Sequence, residues 1–104
     1  MSSLHFNKLT PAEAERVAVL MEEAAEVIQI CGKILRHGFE SCHPKDIKKT
    51  TNRELLEKEL GDLNFAQTLM IGSSDINLSS IEKFEQSKKS KIGKYLHHQR
   101  VNHE

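Results

Sequence analysis

The stretch LMEEAAEVIQICGKILRHG, residues 20–38, decides the fold, because its apolar residues have the spacing of one long amphipathic helix. This helix is predicted to begin after Thr10, which can form a capping box with Glu13, and Pro11 suits its first position. It is predicted to end at Gly38. One set of residues recurs at alternating steps of four and three, which is typical of the seam of a helical bundle: Val17, Met21, Ala24, Ile28, Cys31 and Leu35.

Two further helices are predicted downstream. The stretch TNRE favours a helix capped by Thr51 that ends near Ile71, and SSIE favours one capped by Ser79 that ends near Leu96. The polar segment 39–51 is predicted to be a loop, and its length is typical of functional loops. Because the alternating pattern of β-strands is absent, the expected fold class is all-α, a bundle with long antiparallel helices.

Composition narrows the class of protein. The chain has 104 residues, enough for one domain over residues 1–104, and the segments 1–9 and 97–104 are expected to be flexible. The formal net charge is +0, so no nucleic-acid partner is expected. Cys31 and Cys42 lack metal-ligand spacing and are predicted to be free thiols. Neither a secretory signal nor an apolar run of about 18 residues is seen, so no membrane association is expected and the protein is predicted to be cytoplasmic.

Acidic residues interrupt the apolar pattern of the first two helices. Glu23 is followed by Glu26, and in LLEKELGDLNF, residues 55–65, Glu59 is followed by Asp62. Residues three apart share a helix face, and the first acid of each pair is surrounded by aliphatic side chains. Packing of these faces would bring four negative charges together in a partly dry site, where they repel one another. A hard divalent cation such as Mg²⁺ neutralises such a set, because carboxylate oxygens are its preferred ligands.

Two other interpretations stay open from the residues alone. Glutamate is common in helices, so a pair of acids three residues apart is often ordinary solvated surface. Alternatively, a basic side chain offsets the acids, and Lys33 and Arg36 are the nearest on the first helix, although both lie further along it. Two such pairs, each within an apolar ring, favour the metal site.

The two acidic motifs together resemble a known enzyme superfamily. EEAAEV followed by LEKELGDL is similar to the EExxE…ExxD signature of the all-α nucleoside triphosphate pyrophosphohydrolases, which include MazG, MazG-like proteins, the dCTP pyrophosphatases and the dimeric dUTPases. KILRHG and NRELLEKELGD resemble the short phage and bacterial MazG-like chains. The resemblance covers residues 10–95.

This resemblance implies a hydrolase acting on acid anhydrides, which cleaves a (d)NTP, expected to be a dNTP, to (d)NMP and pyrophosphate. It implies Mg²⁺ as the cofactor, with Mn²⁺ as a substitute, held by Glu23, Glu26, Glu59 and Asp62. Glu22 matches the extra acid of EExxE, and Glu22 or Glu26 is the candidate general base. The resemblance also implies a helical bundle completed by a homodimer or homotetramer, in a bacterial or phage-infected cytoplasm. Val19, Ile30 and Ile34 lie outside the predicted seam and are expected to need that cover.

A triphosphate also requires cationic donors. Lys33 lies two turns beyond Glu26 and is predicted to contact a phosphate. Relatives carry a K…N…R pattern in the third helix; this chain retains Lys83 but has Ser87 and Lys88 near the other positions. Lys83 and Lys88 are the predicted substrate contacts there.

Two other functions are compatible with the same sequence. The first is a phosphoribosyl-ATP pyrophosphohydrolase type of enzyme from the same superfamily. The second is a helical module of the same fold without catalysis, which binds only a nucleotide or a partner protein.

Overall fold

The computed structural model describes residues 6–99, which form three α-helices: α1 (Pro11–His37), α2 (Asn52–Gly72) and α3 (Leu78–Lys91). A 3-10 turn, Ile92–Lys94, follows α3. Within the described range there is no β-strand, only an isolated antiparallel bridge between Cys42 and Thr51. The all-α prediction is confirmed. Residues 1–5 and 100–104, which belong to the two ends expected to be flexible, lie outside the described range.

The first two helices begin as predicted, each with a complete capping box. In α1 the Thr10 hydroxyl accepts a hydrogen bond from the Glu13 amide at 3.1 Å, and the Glu13 carboxylate accepts one from the Thr10 amide at 2.8 Å. Thr51 and Glu54 repeat this arrangement at the start of α2. Gly38 ends α1 with a φ of 91°, a conformation that favours glycine.

The predicted limits of the third helix are wrong at both ends. Its cap is Asn77 and not Ser79, because the Asn77 carboxamide oxygen accepts hydrogen bonds from the Ser80 amide and the Ser79 hydroxyl. Asparagine is as good a cap as serine. The α-helix ends at Lys91 and tightens into a 3-10 turn before it reaches Leu96.

The helices α1 and α2 pack against each other as an antiparallel hairpin. At one end Arg16 binds Asp75, just beyond α2, and at the other Asn52 donates a hydrogen bond to the Gly38 carbonyl oxygen. The buried apolar core of the hairpin is small and consists of Ile30, Ala66 and Met70.

The predicted seam of the first helix is wrong as an intrachain contact. Met21, Ile28 and Leu35 are 70%, 72% and 87% exposed, whereas Ile30, expected to need cover from another subunit, is buried at 4%. The face with the acids and Ile30 therefore packs on α2, and the predicted seam points away from it.

The third helix stands largely apart from this hairpin. It has no extensive contact with α1 or α2 within residues 6–99, and Phe84 on it is 71% exposed. The hairpin alone therefore positions the acidic residues.

Neither α1 nor α2, the two longest of the described helices, is apolar enough to cross a bilayer.

Candidate metal centre

The four predicted metal ligands come together between α1 and α2. Glu23 and Glu26 from α1 meet Glu59 and Asp62 from α2, and each offers a carboxylate oxygen within 4.8 Å of the others. All four are half-buried. The convergence follows from the spacing of three residues in each helix, which puts both acids of a pair on the face that packs against the other helix.

Two oxygens in this cluster lack a partner. Glu23 Oε2 and Glu59 Oε2 are buried from solvent, and neither has a hydrogen bond to any described residue. A buried, unpaired carboxylate oxygen is costly, because it has lost its contact with water without a replacement. These two atoms therefore need a proton, a cation or an ordered water.

The crowding of the acids shifts their proton affinity. The pKa of Glu26 is raised from an ordinary 4.5 to about 7, first because its protonated form can donate a hydrogen bond to Glu59. Burial and the charges of Glu59, Glu23 and Glu22 also raise the pKa of Glu26. The pKa of Glu23 is raised too, chiefly by burial and then by repulsion from Asp62 and Glu59. Mutual repulsion among the acids thus favours uptake of a proton or a cation at this site.

Lys58 is a member of the site that the sequence reasoning missed. Its ammonium lies 2.8 Å from Asp62 Oδ2 and 3.5 Å from Glu59 Oε1, and these acids raise the pKa of Lys58. The signal was present in the sequence, since Lys58 and Asp62 are four residues apart, a spacing that allows ion pairs on a helix. Because Lys58 is 63% exposed, it can turn from the acids toward a ligand.

The cluster fits a small divalent cation. All four donors are carboxylates, which Mg²⁺ and Mn²⁺ prefer, and two of their buried oxygens lack any other partner. Oxygens on one Mg²⁺ ion lie at most roughly 4 Å apart. The observed spread of 4.8 Å needs only small side-chain rotations to reach that distance.

A cavity of about 300 Å³ opens beside the acids. Glu26, Ile30 and Lys33 line it from α1, and Leu55, Lys58 and Glu59 line it from α2. Lys33 therefore shares a cavity with two of the acids, which is the location that its predicted phosphate contact requires.

Three other predicted residues lie away from this cavity. Glu22 is exposed and is not among the four converging acids, although its charge contributes to the raised pKa values of Glu23 and Glu26. Lys83 and Lys88 are exposed on α3 and do not line the cavity beside the acids. Their assignment to the substrate stays a prediction.

Comparison with known proteins adds no further assignment. No family model matches the chain, and neither curated proteins nor solved structures gave a match.

Proposed function

We propose that this protein is a Mg²⁺-dependent, MazG-like nucleoside triphosphate pyrophosphohydrolase that converts a (d)NTP to (d)NMP and pyrophosphate. The observation that carries the proposal is the convergence of four carboxylates from two facing helices, with two buried oxygens left unpaired. The adjacent cavity with two lysines supports it, because a triphosphate needs cationic donors as well as a metal site.

The residues divide into three roles. Glu23, Glu59 and Asp62 hold the cofactor together with Glu26, and Mg²⁺ supplies electrostatic stabilisation of the phosphate oxygens when bound. Glu26 is the better candidate for the proton acceptor, because it lines the cavity beside the acids whereas Glu22 is exposed and outside that cavity. Lys33 and Lys58 orient the phosphates from the two sides of the cavity.

The proposal includes a homodimer or homotetramer in which the exposed seam of α1 is covered. Met21 and Ile28 lie on that seam, on a face that α2 leaves uncovered. An apolar stripe along a long helix is typical of a contact between subunits. In such an assembly, α3 of one subunit would be free to bring Lys83 and Lys88 to a neighbouring site.

Hydrolysis of a nucleotide panel tests the function. The purified protein is incubated with Mg²⁺ and canonical and modified (d)NTPs, and the release of NMP and pyrophosphate is measured. Glu59→Gln is expected to lower kcat/KM by more than a hundredfold. Mutation of residues that only hydrogen-bond to a metal ligand already lowers activity or metal affinity by about 10–100-fold, and a direct ligand should matter more. Glu57→Gln on the same helix, exposed and outside the cluster, is the matched control.

The same panel separates the alternatives. Turnover of phosphoribosyl-ATP in preference to any (d)NTP would assign the other branch of the superfamily. If no nucleotide is cleaved and calorimetry shows no Mg²⁺ binding, the protein is a module without catalysis and the proposal is wrong.

A further inference from the structure

A second cavity, of about 290 Å³, lies next to the one beside the acids. It is formed by the end of α1, the loop 39–51 and the start of α2, and it shares Lys33 and Leu55 with its neighbour. The two cavities therefore adjoin, and a ligand bound at the acids can extend into the second.

This second cavity has the opposite charge to the acidic site. Lys33, Arg36, His37 and His43 line it, and no carboxylate does so among the described residues. Lys33 and Arg36 form no ion pair with any residue in the described range. The ring nitrogen Nδ1 of His43 accepts a hydrogen bond from the Lys45 amide at 3.1 Å, so the proton of the neutral ring lies on Nε2. Lys33 and Arg36 thus offer positively charged hydrogen-bond donors to this cavity, and no carboxylate in its lining neutralises them.

The side chain of Arg36 lies along α1 beside Gly32. An ideal Cβ built on Gly32 would lie 3.5 Å from Arg36 Nη1, so the guanidinium folds back along the helix over Gly32. The side chain thus points along the helix toward its N-terminus, which is the usual direction for helical side chains. Glycine in a helix interior costs about 0.5–1 kcal/mol relative to alanine.

The wall opposite α1 is held in place by the loop. The Asn52 carboxamide donates to the Gly38 carbonyl oxygen at 3.1 Å, and Asp46 accepts from the Lys48 and Thr50 amides. The first amides of α2 are already used by Ser41, Phe39 and Thr51. The backbone donors at the start of α2 are therefore already used, and on that side of the cavity a ligand must be bound by side chains.

We propose that this cavity is a phosphate subsite, which binds a phosphate group of the substrate that lies beyond the metal site. The inference rests on the proposed function and adds the chemistry that the substrate must carry. The axial rise from Glu26 to Lys33 is roughly 10 Å, and the Lys33 side chain reaches back toward Glu26. One phosphorylated ligand can then contact the acids through a metal and Arg36 directly, because guanidinium binds phosphate oxygens in a bidentate manner.

A simpler interpretation assigns Arg36 and His37 to the C-terminal dipole of α1, which cations stabilise. That interpretation does not account for the position of His43, which belongs to the loop and lines the same cavity as Arg36. It also predicts no dependence of ligand binding on these residues.

Binding of inorganic pyrophosphate to the metal-free, EDTA-treated protein tests the subsite by isothermal titration calorimetry. Arg36→Gln is expected to weaken binding about tenfold or more, the usual loss when a charged hydrogen-bond donor is removed. Lys48→Gln is the control: it removes an exposed charge from the loop 39–51 at a position outside the cavity, and it is expected to change binding little.

A second pair of variants tests the position of the Arg36 guanidinium while keeping the arginine. Gly32→Leu is expected to push Arg36 out and to weaken pyrophosphate binding like Arg36→Gln, whereas Gly32→Ala makes only an ordinary contact and should preserve it. Circular dichroism of each variant confirms that the helices are intact.

Two comparisons between phosphorylated ligands identify which phosphate group of the substrate binds in the cavity. Loss of pyrophosphate and triphosphate affinity in Arg36→Gln assigns the terminal phosphates. Loss of affinity for a nucleoside 3′,5′-bisphosphate but not for a 5′-monophosphate assigns a phosphate on the ribose. Equal binding of all phosphates by Arg36→Gln and wild type, or an equal loss for an unphosphorylated nucleoside, would overturn the proposal.

The outcomes distinguish the subsite from the proposed function. If pyrophosphate binding depends on Arg36 but no nucleotide is hydrolysed, the subsite stands and the enzyme activity fails. If nucleotides are hydrolysed and Arg36→Gln binds all phosphates normally, the subsite alone is wrong.

Discussion

At the scale of single residues, the acids between α1 and α2 should oppose folding when no cation is bound. Glu59 has one buried oxygen without a partner, and its charge lies beside three other carboxylates. We therefore expect Glu59→Gln to raise the melting temperature of the EDTA-treated protein, because the amide keeps the shape and removes one charge. We also expect that adding Mg²⁺ stabilises the wild type and has a much smaller effect on this variant.

Thermal denaturation with and without Mg²⁺ measures both effects. Glu57→Gln serves as the control, since Glu57 is exposed on the same helix and lies outside the cluster. A lower melting temperature for Glu59→Gln in EDTA would show that Glu59 is paired and not repelled in the metal-free protein.

The raised pKa of Glu26 predicts an unusual dependence of stability on pH. The pKa of Glu26 is about 7 in the folded protein and near its ordinary 4.5 when unfolded, so the folded state binds more protons between these values. The stabilisation by that proton is complete below about 4.5 and is lost as the pH rises through about 7. The EDTA-treated protein should therefore melt higher at pH 5.5 than at pH 8.

Glu26→Gln should remove most of this pH dependence, because the amide does not titrate. Melting curves from pH 5.5 to 8 in EDTA give the comparison, and this range stays above the titration of Asp75, whose pKa is lowered. A melting temperature that rises with pH in the wild type would contradict the assignment.

Gly32 offers a stability test that is independent of the acids. Gly32→Ala should stabilise the protein by about 0.5–1 kcal/mol, since alanine reduces the entropy of the unfolded chain and its methyl would make an ordinary 3.5 Å contact with Arg36. The free energy of unfolding from urea denaturation measures this effect. A destabilised Gly32→Ala would show that α1 is packed more tightly at Gly32.

The residues of the site were predictable to different degrees. Glu23 and Glu59 stood out because a charge inside an aliphatic ring is costly unless something offsets it. Lys58 was missed because a lysine beside two acids resembles an ordinary surface ion pair. The common position of Arg36 and His43 in one cavity depends on how the loop 39–51 folds back on α1, which local patterns do not encode.

At the scale of helices, one ion pair fixes the open end of the hairpin. Arg16 binds both oxygens of Asp75, at 2.6 and 2.9 Å, and the two side chains are only 19% and 11% exposed. Through this hydrogen bond Arg16 lowers the pKa of Asp75. The contact ties α1 to the segment that connects α2 with α3.

We expect Arg16→Met to destabilise the protein more than Arg53→Met. Arg53 pairs with Glu40 on the surface, where both side chains are more than half exposed and water weakens the attraction. Urea denaturation of the two variants gives the comparison. Equal losses would mean that the ion pair at the open end of the hairpin adds no special stability.

The helices themselves were predicted unequally well, for a physical reason. Capping boxes at Thr10 and Thr51 mark helix starts by hydrogen bonds that involve only four consecutive residues, so both starts were correct. The packing face of α1 was predicted wrongly because apolar residues occupy two sides of this helix. Periodicity finds an apolar side, but it does not say whether α2 or another subunit covers it.

At the scale of the whole molecule, a single chain is more extended than a compact fold of its length. Its radius of gyration is 18.0 Å, whereas a compact chain of this length has about 13 Å. The predicted seam of α1 and much of α3 lie uncovered, including Met21, Ile28 and Phe84. In the proposed homodimer or homotetramer, the other copies of the chain would cover this surface.

A charged seam should prevent that assembly. The double variant Met21→Glu with Ile28→Glu introduces charges into a contact that would otherwise be apolar, and a buried unpaired charge costs several kcal/mol. We expect the wild type to sediment as a dimer or tetramer and the double variant as a monomer. Glu22→Gln and Gln29→Glu change neighbouring exposed positions and serve as controls for charge alone. A wild type that sediments as a monomer at all concentrations would contradict this assembly. That result would leave the proposed metal site untouched, because α1 and α2 of one chain supply all four acids.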